Sequence, residues 1–339
     1  MQLNNRWGLG TFYLGYWERK VMTNSSLTQG SVSPQKPTGG LFHLSGVQKR
    51  EIRTFLTALL FLAPALIIFI TFVFVPLVRS FILSTQLTDP IGNPVAFYGL
   101  ENYRKLVATP AFANSVSKSV LFVLYTVPTT LLFSLILALL GNLRLKHIAV
   151  FRMIFSSTIA VSAATASLIF MYLFHPTIGN INYLLSLVGV KAIPWLVSDT
   201  TALMGIALCS FWLQIGLNTV IILAAMQGIS DELYESAMID GANAWNKFKS
   251  ITIPLLSPTF FFLLVIDILA AFQTFTQVNI LTKGGPFEST NVIVYSIYRA
   301  FYFNGKYGFA AAQSIVLFFL MLSLTIFQFT VVEKKVHYE

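Results

Sequence analysis

Charged side chains are scarce in this chain. They make up only 10% of its 339 residues, whereas 55% are hydrophobic. An ordinary soluble domain carries about 25% charged residues, so this composition favours a lipid bilayer over water as the surroundings. Apolar runs of roughly 20 residues recur, which is the length that a helix needs to cross the hydrocarbon of a bilayer. The composition therefore predicts an all-α membrane protein with several spans.

Cysteine and clustered metal ligands are also lacking. Cys209 is the only cysteine, which excludes an intrachain disulfide and a cysteine-based metal site. The four histidines are scattered, without metal-ligand spacing. We find no nucleophile with a base, as an intramembrane enzyme would need, and no Gly-x-x-x-x-Gly-Lys-[Ser/Thr] phosphate loop. We therefore expect a non-catalytic chain with no catalytic residue, metal or cofactor of its own.

Two regions are predicted from the distribution of apolar residues. Residues 1–53 combine Gly, Ser, Pro, Asn and Gln with seven basic residues, which indicates a largely disordered cytoplasmic tail. Residues 54–339 form the predicted transmembrane domain. It contains six apolar spans, at about 54–83, 116–140, 151–174, 201–226, 259–281 and 310–331.

The net charge of +9 sits mostly in the tails and in short loops between apolar runs, which is typical of membrane orientation and not of a nucleic-acid partner. Six spans place both termini on one side. Fourteen basic residues favour the cytoplasm for that side, against eight on the other side. Without the N-terminal tail the count is seven against eight, so charge alone would leave the orientation undecided.

The loop between spans four and five, residues 229–258, contains residues that typically cap helices. Ser230 is a good N-cap, and Asp231 and Glu232 put negative charge on the first turn, where the helix dipole favours it. Asp240 and Gly241 end this helix, because Gly241 can adopt the left-handed geometry of a C′ residue. The helix has one apolar face, formed by Leu233, Tyr234, Ala237 and Met238.

A second short helix is predicted after the turn. It would carry Trp245 and Phe248 on one side, with Ile251 or Thr252. Pro254 and Pro258 are expected to stop it and to redirect the chain into span five. On periodicity alone, the whole loop would equally suit an amphipathic segment lying on the membrane surface.

The residue pattern of this loop is more specific. Glu235-Ser-Ala237, then Gly241, then Ile251-Thr-Ile-Pro254 resembles the EAA loop of binding-protein-dependent ABC importers. The family pattern is Glu-Ala-Ala, three residues, Gly, nine residues and Ile-x-Leu-Pro, from which Ser236 and Ile253 are small departures. Three further segments resemble the same permeases over about 54–339: Phe97-Tyr-Gly-Leu-Glu-Asn-Tyr103, Phe174-His-Pro-Thr-Ile-Gly-Asn180 and Thr282-Lys-Gly-Gly-Pro286.

The resemblance implies the six-helix permease fold of type I ABC importers, with a cytoplasmic coupling helix that seats in an ATPase subunit. It assigns that coupling role to Glu235, Ala237, Asp240, Gly241 and Ala242. It also implies a second permease subunit, two ATPase subunits that bind ATP and Mg, and an extracytoplasmic solute-binding protein. The implied location is the bacterial inner membrane.

Polar residues inside the spans are candidates for the solute path, because an ionised Asp near the bilayer centre costs about 2.5–3.5 kcal/mol on insertion scales. Aromatic faces beside amides and hydroxyls suit a sugar or polyol. Such groups also often join neighbouring helices, and Asp267 would then pair with a cation or amide of the partner permease. The candidates are Trp212, Gln214, Asn218, Asp267, Phe272, Gln273, Thr276 and Gln277.

Three questions of function stay open at this point. The segments Ala311–Val316 and Val332–Tyr338 resemble the glycerol-3-phosphate permease branch, whereas the absence of Lys and Arg from the span centres favours a neutral sugar or glycoside. A glycerol-3-phosphate or glycerophosphodiester permease is therefore the alternative. An ion-gradient-driven secondary transporter would need more than Asp267 as an intramembrane relay. A scaffolding membrane protein would have no need of the EAA-like loop.

Overall fold

The computed structural model describes residues 46–143 and 145–336, and most of these residues are helical. Among the described residues, those up to Leu66 and those from Ile67 onward belong to two separate compact units. Most of the predicted tail, residues 1–45, lies outside the described residues, as do residues 337–339 at the C-terminus. The described part begins with a helix, at Gly46.

Up to residue 187, the described chain contains seven α-helices, two short strands, one π-helical turn and one 3-10 turn. They are α1 (Gly46–Phe69), a π-helical turn (Ile70–Phe74), α2 (Val75–Ser84), β1 (Gln86–Thr88), β2 (Pro94–Phe97), α3 (Glu101–Ala108), α4 (Pro110–Gly141), α5 (Ile148–Ser156), a 3-10 turn (Ser157–Ala160), α6 (Ala163–Leu173) and α7 (Asn180–Leu187).

The second half is helical throughout its regular structure. It comprises α8 (Ala202–Gln227), α9 (Asp231–Ile239), α10 (Ala244–Lys247), a π-helical turn (Phe248–Thr252), α11 (Ile253–Phe272), α12 (Thr276–Leu281), α13 (Ile293–Tyr298), a π-helical turn (Arg299–Phe303), α14 (Tyr307–Phe327), a π-helical turn (Gln328–Val332) and a 3-10 turn (Glu333–Lys335).

Five helices in the described chain are long and apolar enough to cross a membrane. A bent pair, Ile148–Ala160 with Ala163–Leu173, brings the number to six when the pair is counted as one span. The predicted all-α membrane fold with six spans is thus confirmed, with one of the six in two pieces. The five long helices are Arg53–Ser84, Pro110–Gly141, Ala202–Gln227, Ala244–Leu281 and Tyr307–Val332.

Span three differs from the single helix expected over 151–174, because its two helices meet at 105°. Three hydroxyls in a row precede the bend, and each donates to the carbonyl three residues before it: Ser156, Ser157 and Thr158. Such bonds compete with the helical ladder and tighten the turn. Ser162 then caps α6 by accepting a hydrogen bond from the Thr165 N–H at 3.2 Å, so the second helix starts afresh.

The two prolines of span five do not end the preceding helix, and that interpretation was wrong. Pro254 lies in the first turn of α11, where a missing N–H costs nothing. Pro258 lies inside α11 and leaves the Pro254 carbonyl without its helical donor. The Ser257 hydroxyl donates to that carbonyl at 2.6 Å, which replaces the lost bond. Helix α11 therefore enters the membrane without a redirecting turn.

The core lies where α4 and α8, which share the most extensive helix contact, meet α6 and α12. Phe122, Ile206 and Val278 are fully buried at its centre. Ser134 on α4 donates to the Ile215 carbonyl of α8 at 3.2 Å, and such bonds between spans have few competing partners in lipid. This packing joins α4, α6, α8 and α12 into one helical framework.

Strands β1 and β2 form an antiparallel hairpin at the connection between spans one and two. Asp89 closes its turn, since its carboxylate accepts from the Asn93 N–H at 2.7 Å and the Ile91 N–H at 3.0 Å. These hydrogen bonds, the Asn93 N–H first among them, lower the pKa of Asp89 below its ordinary value. The Gly308 N–H donates to the Thr88 hydroxyl at 3.3 Å, so the hairpin rests on the start of α14.

Candidate functional site

The loop between spans four and five forms two short helices joined by a tight turn, and residues 230–252 are called the elbow below. Ser230 is the N-cap of α9, as predicted, and its hydroxyl accepts from the Glu232 N–H at 3.2 Å. Asp231 and Glu232 lie in the first turn, where their charges complement the helix dipole. Asn243 caps α10 in the same way, accepting from the Asn246 N–H at 2.8 Å.

Gly241 ends α9 in the left-handed conformation, with φ of +79°, as the sequence predicts. The Ala242 N–H donates to the Ala237 carbonyl at 2.8 Å and the Gly241 N–H to the Met238 carbonyl at 3.1 Å. These are the two bonds of a Schellman motif. A Cβ added at Gly241 would meet no atom within 4 Å, so the backbone angle, and not space, requires glycine here.

The elbow exposes apolar and acidic side chains together. Ile239 is 87% exposed and Trp245 is 66% exposed, although both are large and apolar. Among the predicted coupling residues, Glu235, Asp240 and Gly241 are exposed, while Ala237 and Ala242 are half-buried. Exposed apolar side chains grouped beside acidic ones are typical of a protein-binding surface. Ile239 was missed from the sequence because it lies off the apolar face, one residue before the cap.

A hydrogen bond ties the elbow to span five. The hydroxyls of Tyr234 on α9 and Thr252 lie 3.0 Å apart, and Thr252 is the last residue of the π-helical turn before α11. The rings of Trp245 and Phe248 are 5.6 Å apart, which joins α10 to the same turn. The elbow is therefore joined to the start of α11 through side-chain contacts as well as through the backbone.

Two of the predicted path residues pair with each other. Asn218 on α8 donates to the Asp267 carboxyl group on α11 at 2.6 Å, and both residues are 2% exposed. The amide that pairs with Asp267 among the described residues belongs to this chain, and pairing with a group of the partner permease stays a prediction. The pair holds span four against span five in the middle of the helix framework.

The other predicted path residues divide into buried and accessible ones. Phe272 is buried against Ile293 and Leu317. Three polar residues lie together where the helix breaks between α11 and α12: Gln273 is exposed, whereas Thr276 and Gln277 are half-buried. On α8, Trp212 and Gln214 are half-buried; the Trp212 ring lies 5.8 Å from that of Phe170, and the Gln214 Oε1 is buried without a partner in the described chain.

A row of aromatic rings starts beside this break and was missed in the sequence. The rings of Phe275 and Tyr298 lie 4.9 Å apart, and the Tyr298 ring stacks on Tyr302 at 5.4 Å and 7°. Tyr295 lies against both Phe275 and Tyr298. These four residues are called the aromatic ladder below. The available sequence signal was the recurrence of Tyr at 295, 298 and 302, which α13 and the π-helical turn after it place on one side.

Comparison with known proteins assigns the fold and the family. A model of the binding-protein-dependent transport system inner membrane component family matches residues 106–338. The sn-glycerol-3-phosphate transport system permease protein UgpA of Agrobacterium fabrum is 34% identical over 280 residues, which are 82% of this chain and 95% of that protein. The UgpA protein of Pectobacterium atrosepticum is 34% identical over 279 residues, which are 81% of this chain and 94% of that protein.

A solved structure shows the same fold. The crystal structure of a bacterial ABC transporter involved in the import of the acidic polysaccharide alginate contains a chain with a TM-score of 0.71 and 21% identity. The match covers 84% of this chain and 98% of that chain. The described helices therefore have the permease fold of ABC importers. By this fold and by its sequence, the chain belongs to the binding-protein-dependent transport system inner membrane component family.

Proposed function

We propose that this chain forms half of the translocation pathway of an ATP-driven importer for a sugar, glycoside or related polyol. A solute-binding protein delivers the solute outside the membrane, and a second permease subunit forms the other half. Two cytoplasmic ATPase subunits bind ATP and Mg and hydrolyse the nucleotide, so this chain is a non-catalytic subunit. Both of its termini lie in the cytoplasm. The geometry of the elbow is the observation that carries this proposal.

The elbow has the features that a coupling surface requires. Its exposed apolar residues Ile239 and Trp245 supply apolar surface that a partner can bury. The exposed Glu235 and Asp240 supply negative charges that can fix the orientation of a bound partner. The Schellman turn at Gly241 fixes the angle between α9 and α10, which holds these groups in one arrangement. In our proposal the ATPase subunits bind this surface and move it when they close on ATP.

Movement of the elbow then reaches the spans through two side-chain hydrogen bonds. The Tyr234–Thr252 hydrogen bond links the elbow to α11, and the Asn218–Asp267 hydrogen bond links α11 to α8. We assign Asn218 and Asp267 this linking role beside their place in the path. The half-buried Trp212 and Gln214 of α8 then move with the elbow. Coupling of this kind switches access to the pathway from one side to the other.

The solute preference follows from side chains near the break between α11 and α12. Gln273, Thr276 and Gln277 supply amide and hydroxyl groups, which match the hydroxyls of a polyol. The aromatic ladder leads away from the break and offers ring faces, on which the CH surface of a sugar packs. No Lys or Arg lies in the sequence between 250 and 282, so this region carries no positive charge of its own for a phosphate.

A glycerol-3-phosphate or glycerophosphodiester importer is the second candidate. The observation that favours it is the family comparison, in which relatives 34% identical over more than nine-tenths of their length are sn-glycerol-3-phosphate permeases. On this alternative, the partner permease supplies the positive charge that the centres of these spans lack.

The test is reconstitution of the complete complex with its binding protein. We expect ATP hydrolysis to rise several-fold when the binding protein carries its solute, with sugars, glycosides and glycerol phosphates compared at equal concentration. Stimulation by a neutral sugar alone supports the main proposal, and stimulation by a phosphate ester alone supports the second candidate. Uptake driven by an ion gradient without nucleotide would contradict both.

A further inference from the structure

An open cleft lies where the ends of spans three and five meet, on the side opposite to the elbow. It measures about 650 Å³ and is lined by the ends of α6 and α12 and by the connections that follow them; it is called the outer cleft below. Those connections join spans three and four and spans five and six, whereas the elbow joins spans four and five. Because successive connections alternate sides, the outer cleft opens toward the side on which the solute arrives in our proposal.

The accessible walls of the outer cleft are apolar. Met171 is 42% exposed and Val197 is 60% exposed, and Leu196 and Ile280 are half-buried beside them. Among the described residues that line the cleft, Lys283 is the one charged side chain. A small-molecule site typically spans about 300–1,000 Å³ and is mostly apolar with few polar groups, and the outer cleft has both properties. Its walls therefore suit an apolar group and give the hydroxyls of a sugar few partners.

One wall of the outer cleft continues into the proposed solute site. Ile280 and Leu281 of α12 line the cleft, and they follow Gln277 by three and four residues. Residues at this spacing share one face of a helix, so Gln277 lies on the same side of α12, one turn or about 5 Å nearer to its start. Gln277 is one of the polar residues at the break between α11 and α12 that we assign to the solute. The polar site and the apolar cleft are thus neighbours along α12.

The other wall leads to a second predicted path residue. The ring of Trp212 on α8 lies 5.8 Å from that of Phe170 on α6, and the Phe170 ring lies 5.3 Å from that of Phe174. Phe174 underlies the outer cleft and is 1% exposed, so it supports the accessible walls from beneath. Helices α6 and α12 pack against each other. Both walls therefore join the outer cleft to the region of the path residues.

We propose that the outer cleft holds the apolar aglycone of a glycoside while Gln277 and its polar neighbours hold the sugar. This inference rests on the proposed function and narrows its solute class to sugars that carry an aryl or short alkyl group. The one-turn offset between Gln277 and Ile280 is comparable to the step from a sugar ring to a phenyl ring across the glycosidic oxygen. A free sugar would leave the apolar walls unfilled, and a phosphate ester would place its charge beside them.

The experiment uses the complete complex in nanodiscs, without the binding protein. Equilibrium binding is measured for a panel of phenyl glycosides and for each parent sugar, with binding to protein-free discs subtracted. Val197→Asn and Met171→Gln make the accessible walls polar at exposed positions. Val188→Asn is the matched control, because Val188 is 73% exposed in the same connection as Val197 and does not line the cleft.

We expect phenyl glycosides to bind about fivefold or more tightly than their parent sugars, because part of the phenyl ring is buried. Val197→Asn and Met171→Gln should each reduce this ratio by about threefold or more, and Val188→Asn should keep it. A ratio near one, as expected if lipid fills the cleft, or a ratio that survives both variants, overturns the inference and leaves the proposed function standing. Absence of binding by every sugar and glycoside, with glycerol 3-phosphate bound, overturns the proposed function as well.

Cross-linking gives a readout that needs no variant. An azidophenyl glycoside is photolysed in the parent complex, and the labelled peptides are identified by mass spectrometry. Labels should fall on residues 171–177, 196–197 and 280–286, and an excess of phenyl glycoside should remove them. Labels that fall only elsewhere in the chain, or that the excess does not reduce, overturn the inference.

Discussion

Replacement of Gly241 tests whether the shape of the elbow, and not only its surface, is needed for coupling. An L-residue with a Cβ resists the left-handed conformation by roughly 1–2 kcal/mol. At Gly241 φ is +79° and no atom lies within 4 Å of an added Cβ, so this backbone cost is the whole cost inside the chain. If the ATPase subunits bind only when the elbow has its folded shape, their affinity falls in proportion to the fraction of permease molecules that keep this shape. Gly241→Ala should then weaken ATPase binding by up to about 5- to 30-fold.

A series of substitutions at Gly241 separates the effect of the backbone conformation from the effect of side-chain contacts with the ATPase subunits. Asn tolerates the left-handed region better than Ala, although its side chain is larger. If the elbow geometry decides, Gly241→Asn binds the ATPase more tightly than Gly241→Ala; if a partner surface needs bare glycine, the order reverses. Gly241→Asp should leave the protein inserted in the membrane, weaken ATPase association and abolish uptake.

The assay is a titration of purified ATPase subunits against the permease pair in nanodiscs, read as a dissociation constant, with membrane insertion checked for each variant. Unchanged affinity for Gly241→Ala would refute the reasoning, because a turn at +79° would then be unnecessary for docking.

Three further outcomes are expected. Asn218→Ala leaves the Asp267 carboxyl group buried without its donor and should destabilise the complex by about 1–3 kcal/mol. Asp267→Asn keeps Asn218 as a partner and should unfold near the temperature of the parent protein. Identical melting curves for these two variants would contradict this expectation. Gly308→Val places a side chain against the backbone of β1 and should lower the melting temperature, and a parent-like melt would show that the hairpin does not rest there. The hydrogen bonds of Asp89 lower its pKa, so its stabilisation of the hairpin is complete above the ordinary pKa of Asp and is lost as pH falls through the lowered pKa. Hydrogen exchange at the Asn93 amide should therefore rise in that pH range. In Asp89→Asn, exchange at this amide should lose that pH dependence.

The elements that the sequence predicted well are those governed by local chemistry. The capping of α9 by Ser230 and its left-handed end at Gly241 follow from neighbouring residues alone, and both are confirmed. The membrane helices follow from long apolar runs, whose length leaves little alternative in a bilayer.

The breaks in the helices were harder to predict because they depend on competing hydrogen bonds. Within an apolar run, Ser156, Ser157 and Thr158 read as tolerated small residues, yet their bonds to the preceding turn bend span three. Pro254 and Pro258 read as helix stops, but the first-turn position and the Ser257 hydroxyl remove their cost. Such compensation is visible only once the coordinates are known.

The polar residues of the spans were predicted as a set but not as partners. The pairing of Asn218 with Asp267 joins residues 49 positions apart, which no local pattern specifies. The coupling and path roles assigned to these residues and to the elbow stay predictions, and the aromatic ladder depends on long-range packing that the sequence does not display.

The elbow is, in our proposal, the cytoplasmic surface on which the ATPase subunits dock. Ile239→Cys is the most direct probe, because Ile239 is 87% exposed and the native Cys209 is buried. Phe287→Cys, 94% exposed in the connection between spans five and six, is the control on the other side. A membrane-impermeant thiol reagent is applied to right-side-out and inside-out vesicles, with and without ATPase subunits. We expect Ile239→Cys to be labelled only in inside-out vesicles and to be protected by the ATPase subunits. Phe287→Cys should be labelled only in right-side-out vesicles and should not be protected. Labelling of Ile239→Cys from outside, or labelling that the ATPase subunits do not reduce, would contradict a cytoplasmic docking surface.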